Sequence, residues 1–303
     1  MVIVLLLVSG CATIPAKVTT SENKATPTPF QPVQPTFTPP VTATPVVVNT
    51  PIPTPRPTRT RMSTRTPSAT IVALPTKTVK AGSVLVPILL YHHVSSEIKN
   101  SEYSIDPATF KKQMHWLADH GYATINVSDL ARLIENGGTL PKRAVIITFD
   151  DGYVDVYRNA YPILQELGFS ATFFVIAGMI DEAGNLGTEE LQELIASGWE
   201  IGSHSMSHFD LNQQGVDLEN EVNGSKRLLE EKLGVRIKTF AYPYGLAKPS
   251  VITYTEDAGY TSAVGLGFNF THTYQTQYYL NRYEIKSYFS LDQFTEHLPW
   301  GVN

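Results

Sequence analysis

Short apolar segments alternate with segments of helical periodicity along residues 81–303 of this chain. Continuous apolar runs are typical of strands covered on both faces, and they predict strands at 86–91, 144–149, 171–176, 199–202, 239–242, 261–264 and 280–285. Start and stop residues such as Pro, Ser, Thr and Gly predict helices at 107–120, 128–135, 153–167, 188–196, 218–233, 249–258 and 291–298. This alternation predicts an α/β fold with a parallel sheet, and periodicity leaves open whether the sheet is a closed barrel or doubly wound.

The first 80 residues do not follow this pattern. Residues 12–80 contain 14 of the 21 prolines and 18 threonines. Proline fixes φ and removes a backbone donor, so this composition predicts a disordered, extended linker. The linker carries eight Lys or Arg and one acidic residue, so the net charge of −5 divides into about +7 for the linker and about −12 for residues 81–303. An acidic domain without a clustered basic stripe argues against nucleic-acid binding.

Residues 1–11 form an apolar run that is too short to span a bilayer and that ends at Cys11. Val8-Ser9-Gly10-Cys11 resembles the lipobox of bacterial lipoprotein signal peptides, which implies that Cys11 is lipidated and that the domain is anchored to the membrane, on the outer face of the cytoplasmic membrane in the cell envelope. No Lys or Arg precedes the run, which is atypical of a secretory signal. Cys11 is the only cysteine, which excludes a disulfide framework and a thiolate zinc site.

Two adjacent carboxylates, Asp150 and Asp151, come at the end of the strand predicted at 144–149. In α/β folds ligands bind at strand ends and the loops that follow them. Two neighbouring carboxylates repel each other unless a cation or a shared proton relieves the repulsion. An isolated Asp-Asp-Gly is more often a solvated turn, so these residues alone do not define a site.

A pair of histidines, His204 and His208, follows the strand predicted at 199–202. Two histidines and one carboxylate make a three-ligand site with one position left open, which is the arrangement of catalytic rather than structural zinc. The second carboxylate is then free to act as a base. The two motifs together predict a metal site with a neighbouring base.

Three motifs carry a resemblance to a known family: Thr148-Phe-Asp-Asp-Gly152, His204-Ser-Met-Ser-His208 and Phe240-Ala-Tyr-Pro-Tyr-Gly245. In this order they resemble the first three motifs of the polysaccharide deacetylases, the NodB-homology domains of carbohydrate esterase family 4. The resemblance covers roughly residues 87–299. It implies a distorted (β/α) barrel and the metal-dependent removal of N- or O-acetyl groups from a polysaccharide. Carried over, it implies that Asp150 is the general base and that the metal ligands are Asp151, His204 and His208.

The chain departs from the family pattern at the third motif, where Ala241 takes the place of an arginine that orients the base. Arg282, on the last predicted strand, is the candidate replacement, and a surface ion pair is the alternative for it. The backbone N–H of Tyr244 is expected to contact the oxyanion, because a backbone donor does not depend on the side chain. The Asp and Trp of the fourth motif are not recognisable near 260–280.

The late Leu-x-His of the fifth motif is also missing, and His297 is a poor substitute. Leu89-Leu-Tyr-His-His93 instead ends the first strand, and a Tyr-His here resembles the subgroup that includes the biofilm poly-N-acetylglucosamine deacetylases. This resemblance implies that His92 is the general acid, with His93 less favoured, and a barrel permits it because its first and last strands are neighbours. The alternative is a histidine satisfied by backbone partners, and a structural or solvated role is expected for His115, His120 and His272.

The expected function is removal of N-acetyl groups from an extracellular N-acetylglucosamine polymer, either peptidoglycan or an exopolysaccharide. Zinc is the expected metal, with cobalt or nickel as alternatives because N and O ligands do not distinguish them. An O-acetyl xylan esterase with the same site and a catalytically silent glycan-binding lipoprotein are the alternative functions. A glycosidase is disfavoured, because adjacent residues rarely face one substrate across the required separation of about 5 Å.

Overall fold

The computed structural model describes residues 74–296 and 298–300. The predicted signal peptide with Cys11, the linker up to residue 73 and His297 lie outside the described residues. None of the helices in the described part of the chain has the length and apolar character needed to cross a bilayer.

The described residues contain 14 strands and seven α-helices. The strands are β1 (Thr76–Val79), β2 (Ser83–Leu85), β3 (Ile88–Tyr91), β4 (His93–Val94), β5 (Ser104–Ile105), β6 (Ala123–Thr124), β7 (Gly138–Pro141), β8 (Ala144–Phe149), β9 (Thr172–Val175), β10 (Glu200–Ser203), β11 (Thr239–Ala241), β12 (Ser262–Val264), β13 (Thr271–Thr273) and β14 (Tyr283–Glu284). The helices are α1 (Pro107–Asp119), α2 (Val127–Asn136), α3 (Tyr161–Glu166), α4 (Thr188–Ala196), α5 (Ser225–Leu233), α6 (Pro249–Asp257) and α7 (Leu291–Glu296).

A parallel sheet in the order β12-β11-β10-β9-β8-β3-β14 forms the centre of the fold. The segment 280–284 joins its two ends. Leu280 forms a parallel bridge with Val264 of β12, while Tyr283 and Glu284 of β14 pair with β3. The sheet therefore closes on itself, and the predicted distorted (β/α) barrel is confirmed.

Alternating side chains divide the core into two layers. Inward-facing residues such as Ile88, Ile146 and Phe174 pack inside the barrel. Outward-facing residues such as Leu89 and Ile147 pack with the surrounding helices. Because both faces are covered, most positions of the central strands are apolar, which is why the sequence shows them as short apolar runs.

The start of α2 covers the barrel end from which the parallel strands begin. The backbone N–H of Val127 donates to the Thr172 hydroxyl at 3.1 Å, and that of Ser128 donates to Glu200 at 3.0 Å. Glu200 also accepts from Thr239 at 3.1 Å. Burial raises the pKa of Glu200, and these donors partly offset that effect. A buried polar network thus closes one end of the barrel and leaves the opposite rim for a site.

The structure differs from the sequence predictions at several elements. Strand β1 lies within the predicted linker 12–80, but it pairs antiparallel with β7. The linker assignment is therefore wrong for these residues, because backbone pairing with a distant strand stabilises a segment whose own composition is uninformative. The helices predicted at 153–167 and 218–233 each contain a π-helical turn, at Val156–Ala160 and Glu219–Gly224.

Candidate active site

A cleft of about 370 Å³ opens where the parallel strands end. Carboxyl ends of parallel strands meet at one rim of a barrel, so residues far apart in sequence converge there. The cleft is lined by every residue predicted to carry chemistry apart from Cys11: His92, Asp150, Asp151, His204, His208, Tyr244 and Arg282.

Asp151, His204 and His208 form a cluster suited to a cation. Asp151 Oδ1 lies 3.5 Å from His204 Nε2 and 3.6 Å from His208 Nε2. One ligand atom from each residue lies within 4.8 Å of the others. Ligands about 2.1 Å from a tetrahedral zinc are about 3.4 Å apart, so these three side chains fit such an ion.

The ring of His204 is oriented by the backbone of the third motif. Its Nδ1 lies 2.8 Å from the carbonyl oxygen of Ala241. A carbonyl only accepts hydrogen bonds, so Nδ1 carries the hydrogen and the lone pair of Nε2 points towards Asp151. Burial lowers the pKa of His204 to about 4, although nearby Asp150 opposes this shift. His204 is therefore neutral at pH 7, as a metal ligand must be.

Asp151 itself is in an environment that disfavours its negative charge. Burial, and then the neighbouring charge of Asp150, raise its pKa to about 7. A buried carboxylate with this environment is stabilised by either a proton or a cation. The electrostatics of the cluster, like its geometry, therefore favour the binding of a cation.

Asp150 is paired with Arg282 in the barrel interior. The guanidinium donates two hydrogen bonds to the carboxylate, at 2.6 Å to Oδ1 and 2.8 Å to Oδ2. Arg282 is 1% exposed, so the alternative of a surface ion pair is excluded. Burial alone would raise the pKa of Asp150, but Arg282 and His204 outweigh it and lower the pKa to about 2. Asp150 is thus ionised throughout the neutral range.

His92 lies on the same face of the barrel wall as Asp150. Leu90 pairs with Thr148 between β3 and β8, so the next inward positions are His92 and Asp150. His92 Nδ1 lies 4.0 Å from Glu284 Oε1. Burial lowers the pKa of His92, while Asp150 and Glu284 act in the opposite direction.

Comparisons with known proteins agree with this site. Residues 137–263 match the family model described as polysaccharide deacetylase. These residues therefore form a polysaccharide deacetylase domain. Members of this family are hydrolases that act on carbon–nitrogen bonds other than peptide bonds.

Two relatives and two solved structures are similar to this chain. The Bacillus subtilis protein YxkH is 31% identical over 180 residues, and the match covers 59% of this chain and 63% of that relative. A poly-beta-1,6-N-acetyl-D-glucosamine N-deacetylase of Staphylococcus aureus is 28% identical over 242 residues, covering 75% of this chain and 81% of the relative. A polysaccharide deacetylase from Bacillus cereus superposes with a TM-score of 0.65 at 27% identity, covering 71% of this chain and 69% of that one. IcaB from Ammonifex degensii superposes with a TM-score of 0.60 at 25% identity, covering 73% and 99%.

Backbone strain is concentrated at the site of this deacetylase domain. Six non-glycine residues in the described part of the chain have positive φ, and four of them belong to the site loops: Asp151, Ser205, His208 and Tyr244. Such conformations persist only where the surroundings impose them, and they are frequent at functional sites. The Tyr244 ring lies against His208, with 4.6 Å between the ring centroids.

Glu221 holds the histidine loop and was not found from the sequence. This buried carboxylate accepts hydrogen bonds from the backbone of Met206 at 3.1 Å and of Ser207 at 3.0 Å, and from the Ser207 hydroxyl. It lies in the π-helical turn Glu219–Gly224, a local structure that often occurs at functional sites. A single glutamate in a helical segment carries no sequence signal for such a contact.

Glu284 was also not predicted from the sequence. It lies two positions after Arg282, and side chains two positions apart on a strand point to the same face. This spacing was the sequence signal that could have identified Glu284. His120 and His272 hydrogen-bond the carbonyl groups of Trp116 and Val86, in agreement with a structural role for these two histidines.

Replacing Glu221 with Gln is expected to weaken zinc binding by about tenfold to a hundredfold, because residues that support metal ligands have effects of this size. The amide lacks the charge and one of the acceptors that hold the Met206–Ser207 backbone. Chelator competition measures the affinity. Glu219→Gln is the matched control, since Glu219 lies in the same turn but pairs with Arg227 at the surface. Equal zinc affinities for both variants would contradict the assigned contact.

Zinc binding is expected to release about one proton below pH 7, because a cation must displace the proton of Asp151, whose pKa is raised to about 7. The apparent affinity should fall by up to about tenfold per pH unit below 7 and level off above it. Calorimetry in buffers of different ionisation enthalpy measures the released proton. A constant affinity between pH 5.5 and 8 would show that the metal-free carboxyl is already ionised.

Proposed function

We propose that this protein is a metal-dependent deacetylase that removes N-acetyl groups from an extracellular polymer containing N-acetylglucosamine, either peptidoglycan or an exopolysaccharide. The observation that carries the proposal is the placement of a buried, arginine-paired carboxylate, Asp150, beside the cluster Asp151, His204 and His208 in one cleft. This combination provides a candidate base and a candidate cation site side by side in the cleft.

The cation would be held by Asp151, His204 and His208, with zinc as the first choice and cobalt or nickel as alternatives. When bound, it polarises the acetyl carbonyl and makes water a better nucleophile near neutral pH. Asp150 accepts the proton from the attacking water. Arg282 keeps this carboxylate ionised and fixes its two oxygens.

The departing nitrogen requires a proton, because an amine is a poor leaving group unless it is protonated. His92 is the proposed donor, and Glu284 lies close enough to favour its protonated form. The backbone N–H of Tyr244 is the proposed hydrogen-bond donor to the oxyanion. The proposed base, acid and oxyanion donor are thus three different residues.

A glycan substrate is supported by the rim of the cleft and by one relative. Tyr103 and Tyr244 line the cleft with 42% and 57% of their surface exposed. Exposed aromatic rings combine an apolar face with a polar edge, which suits the faces and hydroxyl groups of sugars. The Staphylococcus aureus relative acts, by its name, on poly-beta-1,6-N-acetyl-D-glucosamine, which favours the N-acetyl substrate over acetylated xylan.

Acetate release from N-acetylglucosamine oligomers tests the proposal. Zinc should restore release to the metal-stripped protein, and Asp150→Asn should abolish it. His92→Ala should lose far more activity on the oligomers than on an aryl acetate ester, whose leaving group needs no proton. Release from acetyl-xylan alone would favour the esterase function. Tight zinc binding without release from any acetylated glycan would indicate a silent glycan-binding protein.

Arg282→Lys is expected to lower kcat on these oligomers by about a hundredfold, since a single ammonium cannot make two parallel hydrogen bonds to Asp150. Loss of the guanidinium should also raise the pKa of Asp150 and move the acidic limb of the kcat/KM profile to higher pH. Arg227→Lys, at an exposed ion pair, is the control. An unchanged acidic limb in Arg282→Lys would refute the assigned role.

The proposed location is the outer face of the cytoplasmic membrane, with Cys11 lipidated and the Pro/Thr-rich segment as a tether. The sequence Val8-Ser9-Gly10-Cys11 supports this proposal. Replacing Cys11 with Ala should abolish incorporation of a labelled fatty acid and shift the protein away from the membrane fraction of bacterial cells. Unchanged labelling of the Cys11→Ala variant would disprove lipidation at this residue.

A further inference from the structure

One wall of the cleft is formed by residues 101–103, which we call the cleft wall. Ser101 and Tyr103 both line the cleft, and 42% of the surface of Tyr103 is exposed. The Tyr103 ring packs against the ring of His92, with 5.1 Å between the centroids and 62° between the ring planes. An exposed aromatic ring therefore lies directly beside the proposed acid.

The segment that follows β14 holds the cleft wall in place. The backbone N–H of Ser287 donates to the carbonyl oxygen of Glu102 at 2.9 Å, and the Ser287 hydroxyl donates to that of Ser101 at 3.0 Å. The Lys286 ammonium lies 2.9 Å from Glu102 Oε1 and 4.0 Å from the centroid of the Tyr103 ring. An ammonium group over an aromatic face is attracted to it. Both the backbone of the wall and its aromatic ring are thus fixed by two adjacent residues.

Lys286 also binds the carboxylate beside the proposed acid. Its Nζ lies 2.6 Å from Glu284 Oε2, while Glu284 Oε1 lies 4.0 Å from His92 Nδ1. An isolated ion pair at the surface contributes little, but the Lys286 side chain is only 15% exposed and contacts two carboxylates and a ring at once. Lys286 therefore joins the Tyr103 ring to the immediate surroundings of His92.

We propose that Tyr103 is the surface that binds the sugar carrying the acetyl group, and that Lys286 fixes this surface relative to His92. The proposal rests on the proposed function. The C–H face of a sugar suits an aromatic ring, and the phenolic hydroxyl at the ring edge suits its hydroxyl groups. The ammonium occupies one face of the ring, so the exposed remainder is available to a ligand in the cleft. A sugar bound there lies next to the proposed proton donor.

Lys286 is a positioning residue, because it acts on the sugar through Tyr103. A tyrosine on an unsupported loop loses side-chain and loop freedom when a ligand binds, and this loss lowers affinity. A ring that is already held by an ammonium and by its own anchored backbone avoids much of this cost. Loss of Lys286 should therefore weaken sugar binding even when the Tyr103 ring itself is present.

Calorimetric binding of short N-acetylglucosamine oligomers to the full-length protein tests this surface, with a chelator present so that the oligomers stay intact. Tyr103→Ala should weaken binding by about tenfold or more, since aromatic side chains dominate contacts of this kind, and Tyr103→Phe should lose much less. Lys286→Met should weaken binding by about fivefold, and Lys286→Arg, which keeps a cation over the ring, should lose less. The double variant Tyr103→Ala/Lys286→Met should bind no more weakly than Tyr103→Ala, because Lys286 acts through Tyr103.

Binding is measured rather than turnover because Lys286→Met also leaves Glu284 without its partner beside His92. Lys226→Met is the matched control. Lys226 lies over the Tyr260 ring at 4.6 Å from its centroid, so this variant removes the same kind of contact on α5 and should leave oligomer binding unchanged.

Equal thermal midpoints in all variants would show that a loss of binding is not a loss of folding, and Lys286→Gln provides the test if Lys286→Met does not fold. Oligomer affinity of Lys286→Met within twofold of the wild type, or additive losses in the double variant, would overturn the proposal. Failure of the wild type to bind any of the oligomers would also overturn it. If the wild type binds them but releases no acetate when zinc is restored, the proposed function fails while the sugar surface is still decided by the affinities.

Discussion

The buried ion pair of Arg282 and Asp150 links the closure of the barrel to the chemistry of the site. Two charges in a barrel interior are tolerated only when they are paired and hydrogen-bonded, and removing one partner leaves the other without compensation. Arg282 belongs to the segment 280–284, which joins β12 to β3. Closing the barrel and fixing the carboxylate of Asp150 are therefore consequences of the same segment.

This pair also explains how two adjacent aspartates obtain opposite properties. Arg282 and His204 lower the pKa of Asp150 to about 2, against the effect of burial. One residue later, burial and the charge of Asp150 raise the pKa of Asp151 to about 7. Neighbouring carboxyl groups with environments that separate their pKa values are suited to different tasks. The barrel thus keeps Asp150 ionised in the neutral range and leaves Asp151 to be stabilised by a proton or a cation.

The support around these residues comes from elements that are distant in sequence. Glu221 holds the loop before His208 from a π-helical turn, and the carbonyl group of Ala241 orients His204 from the next strand. Ala241 makes this contact through its backbone carbonyl, so the contact does not depend on the side chain at this position. The guanidinium that pairs with Asp150 comes from Arg282, about 40 positions after Ala241 in the chain.

The sequence alone was enough to predict a parallel α/β architecture, since strands buried on both faces are mostly apolar. It also predicted a metal site with a neighbouring base at Asp150, Asp151, His204 and His208, since these residues follow such strands, and the structure brings the four side chains into one cleft. It could only suggest Arg282 and His92, because their roles depend on which strands become neighbours. It gave no indication of the contacts of Glu221 or of the pairing of β1, whose partners are brought together by folding alone. Local sequence patterns reflect burial and periodicity. Barrel closure, strand register and the direction of a side chain depend on contacts between residues that are distant in sequence, so only the tertiary structure shows them.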